Sequence, residues 1–248
     1  FALLDADAPL PVRRYAHVRA ADVRAAALVA LGRAEAVRPA TRAHAPSLRV
    51  MSYNVHACRG MDGVTSASRI ARVIGQAAPD IVALQELDVG RARSNHADQA
   101  HQLALALAMS REFHAALAVR EELYGDAVLT ALPMRLVRSG WLPGSPRREP
   151  RGALWVSIDV DGVAWQIINT HLGLRVGERA AQIDHLLGDG WLEAALRAGP
   201  VVFLGDLNAG EGSYVCRRLA DRLTDVQRAI PGWRPRATWF GQRPTLRL

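Results

Sequence analysis

The chain has 248 residues, half of them hydrophobic, and a formal net charge of +7. This length accommodates one large α/β domain with an extension, or two small domains, and no apolar run approaches the roughly 20 residues of a membrane-spanning helix. There is no signal-peptide pattern, and Cys58 and Cys216 are too few and too far apart for a metal cluster. The composition favours two reduced thiols over one disulfide, as in a cytoplasmic protein.

Residues 1–47 differ in composition from the rest of the chain. The stretch Ala20–Val37 is rich in Ala and Arg, with apolar residues at helical spacing, and Pro39 and Pro46 bracket a polar linker. Such a basic amphipathic helix can pack on the main domain, end an upstream domain or lie on a membrane surface. The first two are favoured, and we expect a helical extension with a linker.

From Leu48 the pattern alternates between strands and helices. The first half predicts a strand at 48–56, a helix between Ser66 and Pro79, a strand at 80–86 and a helix at 97–109. The second half predicts strands at 113–119, 127–131, 136–141, 153–160 and 164–171, an interrupted helix at 180–197 and a strand at 201–205. Because a hairpin-rich β stretch separates two groups of helices, we expect two sheets packed face to face with helices outside.

Two polar side chains lie where the first two predicted strands end. Asn54 stands in the segment Ser-Tyr-Asn-Val-His at 52–56, and Glu86 closes the apolar strand at 80–86. Hard cations such as Mg²⁺ prefer oxygen ligands, often one or two carboxylates with water and substrate phosphate. Taken singly, Asn54 also fits a turn and Glu86 a solvent-exposed strand end, so neither establishes a site by itself.

Three more polar side chains follow the later strands. His171 closes the strand at 164–171, where it could donate to a phosphoryl oxygen or simply bond to a neighbouring loop. Asp206 and Asn208 follow the strand at 201–205 in the segment Gly-Asp-Leu-Asn. In extended backbone they point to one face, as a carboxylate that activates water and an amide that orients it would, although this segment also fits a turn.

In their order and spacing over 48–248, these segments resemble the endonuclease/exonuclease/phosphatase superfamily, which includes pancreatic-type deoxyribonucleases, exonuclease III-like repair enzymes, neutral sphingomyelinases and inositol polyphosphate 5-phosphatases. The resemblance implies a four-layer α-β-β-α sandwich with the site at one edge of its two mixed sheets. It implies that Glu86 is the principal Mg²⁺ or Mn²⁺ ligand with Asn54 beside it. It also implies that His171 binds the scissile phosphate, that Asp206 activates the nucleophile or assists the leaving group, and that Asn208 is the partner amide of Asp206.

The chain departs from the family pattern at three places. Asp126 stands where the family usually has Asn, and Ala131 stands where Arg is common. Arg151 could supply a replacement cation for the substrate or be an ordinary loop residue. The sequence stops at Leu248, before the Arg-Leu-Asp and Ser-Asp-His segments that in the family carry an Asp–His pair and a second metal carboxylate. We read this as truncation and expect residues 1–248 alone to be nearly inactive.

The sequence therefore predicts a metal-dependent phosphoester hydrolase, with phosphodiesters as the favoured substrates. A phosphomonoesterase acting on a phosphoinositide or sugar phosphate is the alternative enzyme, and an impaired module that binds phosphate-bearing ligands is the alternative of another class. The basic charge favours phosphate-bearing partners such as nucleic acid or a phospholipid headgroup. However, every basic residue is Arg and the chain is rich in Ala, which indicates a coding bias.

Overall fold

Strands and helices alternate through residues 48–229, the part of the chain that the computed structural model describes. The predicted extension at 1–47 and the final segment 230–248 lie outside the described residues. The strands are β1 (Val50–Asn54), β2 (Ile81–Val89), β3 (Ser110–Val119), β4 (Glu122–Thr130), β5 (Met134–Trp141), β6 (Gly152–Val160), β7 (Val163–His171) and β8 (Val201–Asp206). The helices are α1 (Ala67–Ala77), α2 (Gln99–Leu107), α3 (Val176–Leu186), α4 (Leu192–Ala198), α5 (Tyr214–Ala220) and α6 (Val226–Ala229), with 3₁₀ turns at His56–Cys58 and Ala92–Ser94.

The strands form two four-stranded sheets, in the orders β1-β2-β4-β3 and β5-β6-β7-β8. Each sheet has one parallel pair, β1 with β2 and β7 with β8, and its other pairs are antiparallel. Because parallel strands end at the same edge of a sheet, β1 and β2 end together in the first sheet, and β7 and β8 end together in the second. The polar segments described above lie at these carboxyl ends.

Alternation along the strands divides the core into three apolar layers. Side chains such as Ile81, Val128 and Ile167 pack between the two sheets. Their neighbours in sequence face outward, where Val82 packs against α1 and α2, and Ile168 packs against α3, α4 and α5. The expected four-layer α-β-β-α sandwich of two mixed sheets is confirmed. Within the described residues, no helix combines the length and hydropathy needed to cross a bilayer.

Several helix and strand boundaries can be compared with those predicted from local sequence. Ser66 caps α1, since its hydroxyl accepts a hydrogen bond from the Arg69 amide at 3.2 Å. The helix predicted at 180–197 is broken as expected, but its first part, α3, already begins at Val176. The strand predicted at 127–131 begins instead at Glu122, because the preceding residues form a hairpin with β3. Cys58 and Cys216 are both free thiols.

Candidate active site

Glu86 lies inside a β-bulge and not at a strand end, which corrects the sequence prediction. β2 continues to Val89, and its pairing with β4 shifts between Leu84 and Leu87. Two residues of β2 therefore face a single residue of β4, and Glu86 takes a left-handed φ of 63°. A regular strand would alternate its side chains strictly, whereas the bulge redirects the Glu86 carboxylate towards the end of the sandwich.

Asn169, a residue to which the sequence assigned no role, bonds to this bulge from the other sheet. Its side chain is fully buried. Its Nδ2 donates to the carbonyl oxygens of Leu84 and Ala127, both at 3.0 Å, and its Oδ1 accepts from Gln85 Nε2 at 2.8 Å. These carbonyls lie where the β2–β4 ladder is interrupted, so Asn169 satisfies them and connects the two sheets directly behind Glu86.

Close backbone approach aligns His171 with Asp206. In the parallel β7–β8 pair, Thr170 lies opposite Gly205 and His171 lies opposite Asp206. Gly205 has a φ of 146°, and a Cβ there would lie 2.0 Å from the carbonyl oxygen of Thr170. Only glycine fits this contact without a shift of the backbone. The pairing that brings the imidazole beside the carboxylate therefore depends on the absence of a side chain at Gly205.

Asn54, Glu86, Asp206 and His171 converge at this end of the sandwich. Asn54 Nδ2 donates to Glu86 Oε1 at 2.7 Å and to Asp206 Oδ2 at 2.9 Å. His171 Nε2 lies 3.9 Å from the same Glu86 oxygen and 3.8 Å from the same Asp206 oxygen. Two carboxylates from different sheets thus share one amide, beside a buried imidazole.

Asn208 joins the cluster by a different route from the one the sequence predicted. Its backbone is left-handed, with a φ of 47°, and is not extended. The turn forms because the Asn208 amide donates to Asp206 Oδ1 at 2.9 Å, which also orients that carboxylate. The side chain donates from Nδ2 to the Leu172 carbonyl at 2.9 Å, and Nδ2 lies 3.1 Å from His171 Nε2.

Arg151 and Asn208 contact the two ring nitrogens of His171. Arg151 Nη1 lies 3.2 Å from Nδ1 and Asn208 Nδ2 lies 3.1 Å from Nε2, and both of these groups are donors. Burial, and the charge of Arg151, lower the pKa of His171 to about 4, although Asp206 and Glu86 oppose this shift. The ring is therefore neutral at physiological pH. Arg151 is itself held by Glu149 at 2.6 Å.

Asp126 lies on β4 opposite the bulge, next to this cluster. Its burial raises the pKa to about 8, although the charge of Arg151 and a hydrogen bond with the Glu86 backbone oppose the shift. Glu86 and Asp206 add to the rise through like charge. At neutral pH the protonated form is favoured, and a neutral carboxyl group has nearly the shape of the carboxamide that the family usually carries here.

A cleft of about 360 Å³ opens beside Glu86. Its lining includes His56, Arg59, Arg93, Tyr124 and Glu149. Arg93 is held over the Tyr124 ring, 5.3 Å from its centroid, by two hydrogen bonds of 2.7 and 2.8 Å to the buried Asp88. The cleft is therefore lined by charged and aromatic side chains immediately next to Glu86.

The donor set at the cluster fits a hard divalent cation. Glu86 and Asp206 offer carboxylate oxygens within hydrogen-bond distance of one point, the Asn54 amide nitrogen. Among residues 48–229 no group of three or more His, Cys, Asp or Glu residues forms a metal cage, and Mg²⁺ commonly uses only one or two carboxylates with water and phosphate. The Asn54 oxygen accepts from the His56 amide at 3.0 Å, so this Asn orients the carboxylates through its nitrogen.

Comparisons with known proteins agree with this geometry. The model of the Endonuclease/Exonuclease/phosphatase family matches residues 51–248. No curated protein sequence matches the chain significantly. A solved endonuclease/exonuclease/phosphatase protein from Beutenbergia cavernae is 25% identical, with a TM-score of 0.55, over 70% of this chain and 53% of that one. The chain thus spans about half the length of this relative.

Two further solved structures share the fold. The catalytic domain of human nocturnin, with bound sulfate, is 23% identical with a TM-score of 0.53, over 71% of this chain and 69% of that one. A mannosyl-6-phosphatase from Bacteroides thetaiotaomicron is 18% identical with a TM-score of 0.58, over 71% of each chain. At these identities the likeness concerns the fold alone. Because the family model covers most of its length, the chain belongs to the endonuclease/exonuclease/phosphatase family.

Proposed function

We propose that the protein is a Mg²⁺- or Mn²⁺-dependent phosphoester hydrolase that acts on phosphodiesters. The observation that carries the proposal is the convergence of Glu86 and Asp206 on one Asn54 amide, with His171 Nε2 3.8 to 3.9 Å from both carboxylates. Enzymes of this family generally depend on divalent metal ions. The metal would be held by Glu86 with Asn54 beside it, and when bound it would stabilise charge that develops on the phosphate oxygens.

His171 and Asn208 supply hydrogen-bond donors for the phosphate in this proposal. His171 Nε2 lies 3.8 to 3.9 Å from the two carboxylates, too far for a hydrogen bond, and 3.1 Å from Asn208 Nδ2. In this proposal the ring proton is on Nε2, so that this N–H and the Asn208 side-chain amide both donate to one anionic oxygen of the phosphate. Preorganised donors of this kind stabilise the charge of a phosphoryl transition state.

Asp206 is the proposed proton acceptor for the attacking water. Its carboxylate is oriented by the Asn208 amide and by Asn54. The water oxygen forms a bond to phosphorus while a water proton passes to Asp206, and the opposite phosphorus–oxygen ester bond breaks. The leaving oxygen takes a proton from solvent and departs as the alcohol, and Asp206 returns its proton to solvent. Arg151 and Asp126 support the phosphate side of the site, with Arg151 acting through His171.

The test is a metal titration of hydrolysis by the full-length protein, with bis(p-nitrophenyl) phosphate as diester and p-nitrophenyl phosphate as monoester. We expect Glu86→Gln to lower kcat/KM for the diester by about 10²-fold or more and to raise the metal concentration for half-maximal activity. Asp161→Asn, which removes a carboxylate at the far hairpin, is the matched control. Unchanged turnover and metal response in Glu86→Gln would overturn the proposal, and faster monoester hydrolysis by the unaltered chain would favour the phosphomonoesterase alternative.

A further inference from the structure

Two large aliphatic side chains project into solvent a few residues after His171. Leu174 is 70% exposed in the connection from β7 to α3, and Val176, the first residue of α3, is 72% exposed. Arg175 lies between them and is also exposed. Isolated exposed aliphatics are common on protein surfaces. A pair that flanks an exposed arginine and closely follows a residue of the candidate site is a stronger indication of an interaction surface.

This exposure is fixed by the structure and does not result from a frayed loop. The buried side chain of Gln182 accepts from the Gly173 amide at 2.8 Å and donates to the Pro143 carbonyl at 3.0 Å. Arg179 Nη1 donates to the Leu174 carbonyl at 2.6 Å. The two connections, 142–151 and 172–175, are therefore held side by side, and the backbone that presents Leu174 is anchored.

The neighbouring connection adds positive charge to this surface. Arg147 and Arg148 are exposed, and Arg148 pairs with Glu178 at 3.3 Å across the two connections. Within the described part of the chain, Arg147 and Arg175 make no ion pair. We call Leu174, Arg175, Val176, Arg147 and Arg148 together the rim patch.

We infer that the rim patch docks the active-site end of the sandwich on a bilayer that contains anionic lipids. Aliphatic side chains interleaved with arginines match such an interface, because the aliphatics enter the acyl boundary while the arginines meet phosphate headgroups. A nucleic-acid surface would need arginines and stacking aromatics and would gain little from exposed Leu174 and Val176. The inference rests on the proposed function in one respect: docking brings the cluster at His171 to the headgroups, which makes the phosphoester of a phospholipid headgroup the substrate.

The experiment measures binding of the full chain to sedimented vesicles of phosphatidylcholine alone and of phosphatidylcholine with phosphatidylglycerol. We expect binding to the anionic vesicles that weakens with salt. The double variant Leu174→Ser/Val176→Ser should bind about tenfold more weakly or worse, and Arg147→Gln/Arg175→Gln should reduce the preference for anionic lipid. The matched control is Val163→Ser. Val163 is 47% exposed at the start of β7, whereas Leu174 and Val176 follow the other end of this strand.

Two parallel measurements separate this inference from the proposed function. Thermal melts and hydrolysis of soluble bis(p-nitrophenyl) phosphate should not change in the rim-patch variants, because none of their positions belongs to the catalytic cluster. Loss of soluble activity in Glu86→Gln tests the hydrolase alone. The docking inference is overturned if the unaltered chain does not bind anionic vesicles, if Val163→Ser weakens binding as much as the double variant, or if the double variant loses duplex DNA binding while vesicle binding stays constant.

Discussion

Arg151 Nη1 lies 3.2 Å from His171 Nδ1, on the side of the ring opposite the carboxylate cluster. Because the guanidinium can only donate, we propose that Nδ1 is an acceptor and that the ring proton is on Nε2. That proton would face the gap beside Glu86 and Asp206. In this proposal Arg151 is a positioning residue for His171, and the imidazole is a neutral hydrogen-bond donor.

Replacement of Arg151 by Met should release the ring from this tautomer. In the unaltered protein, ¹⁵N spectra of the imidazole should show an unprotonated Nδ1 and a protonated Nε2 at pH 7. In Arg151→Met we expect a mixture of tautomers and a fall in diester hydrolysis of roughly 10- to 100-fold. The control is Arg135→Met, which removes the same positive charge from the exposed side of β5. An unaltered His171 spectrum in Arg151→Met would contradict the positioning role.

Asn169→Leu should destabilise the sandwich more than an ordinary surface change. The substitution leaves the carbonyl oxygens of Leu84 and Ala127 without their Asn169 donor, whereas the Gln85 side-chain amide keeps its bonds to Ser52 and Ala83. At about 1–3 kcal/mol for each buried group left unpaired, the free energy of unfolding should fall by roughly 2 kcal/mol or more. Urea denaturation measures this loss, with Gln102→Leu on the exposed face of α2 as the control. Equal midpoints for the two variants would show that Asn169 is not needed for the bulge.

Gly205→Ala should disturb the pairing of β7 with β8. The added methyl group would lie 2.0 Å from the Thr170 carbonyl oxygen, in a backbone region that alanine avoids. We expect a loss of about 2 kcal/mol or more in stability together with reduced hydrolysis, because Asp206 is the next residue. Gly75→Ala in α1 meets no atom within 4 Å and should instead stabilise the protein by about 0.5–1 kcal/mol. A tolerated alanine at 205 would mean that the strands can separate without cost to the site.

Asp126→Asn should change the pH dependence of stability. The folded protein holds the Asp126 proton up to a pKa of about 8, whereas the unfolded chain releases it near pH 4. The stability that this proton contributes is fully present below pH 4 and is lost as the pH rises through 8. Compared with that of the unaltered protein, the free energy of unfolding of Asp126→Asn should be little changed at pH 4 and higher by on the order of a few kcal/mol at pH 8. Denaturation in EDTA at several pH values measures the difference, and parallel curves for the two proteins would refute the raised pKa.

The sequence by itself determined the architecture and the identity of the clustered side chains. Alternation within the strands and helical spacing between them are local properties, and they were sufficient to predict two sheets with helices outside. The polar segments at Asn54, His171 and Asp206 were identifiable because each directly follows an apolar strand. Their order along the chain then indicated the family before any distance was known.

Only the tertiary structure decided how those side chains are aimed. The bulge at Glu86 depends on the pairing register with β4 and on Asn169 from the opposite sheet, which lies 83 positions later in the sequence. The left-handed turn at Asn208 and the protonated nitrogen of His171 likewise depend on partners that come close only after folding. Because a strand pattern specifies faces but not register, local sequence could identify these residues without fixing the direction of the Glu86 carboxylate or of the His171 proton.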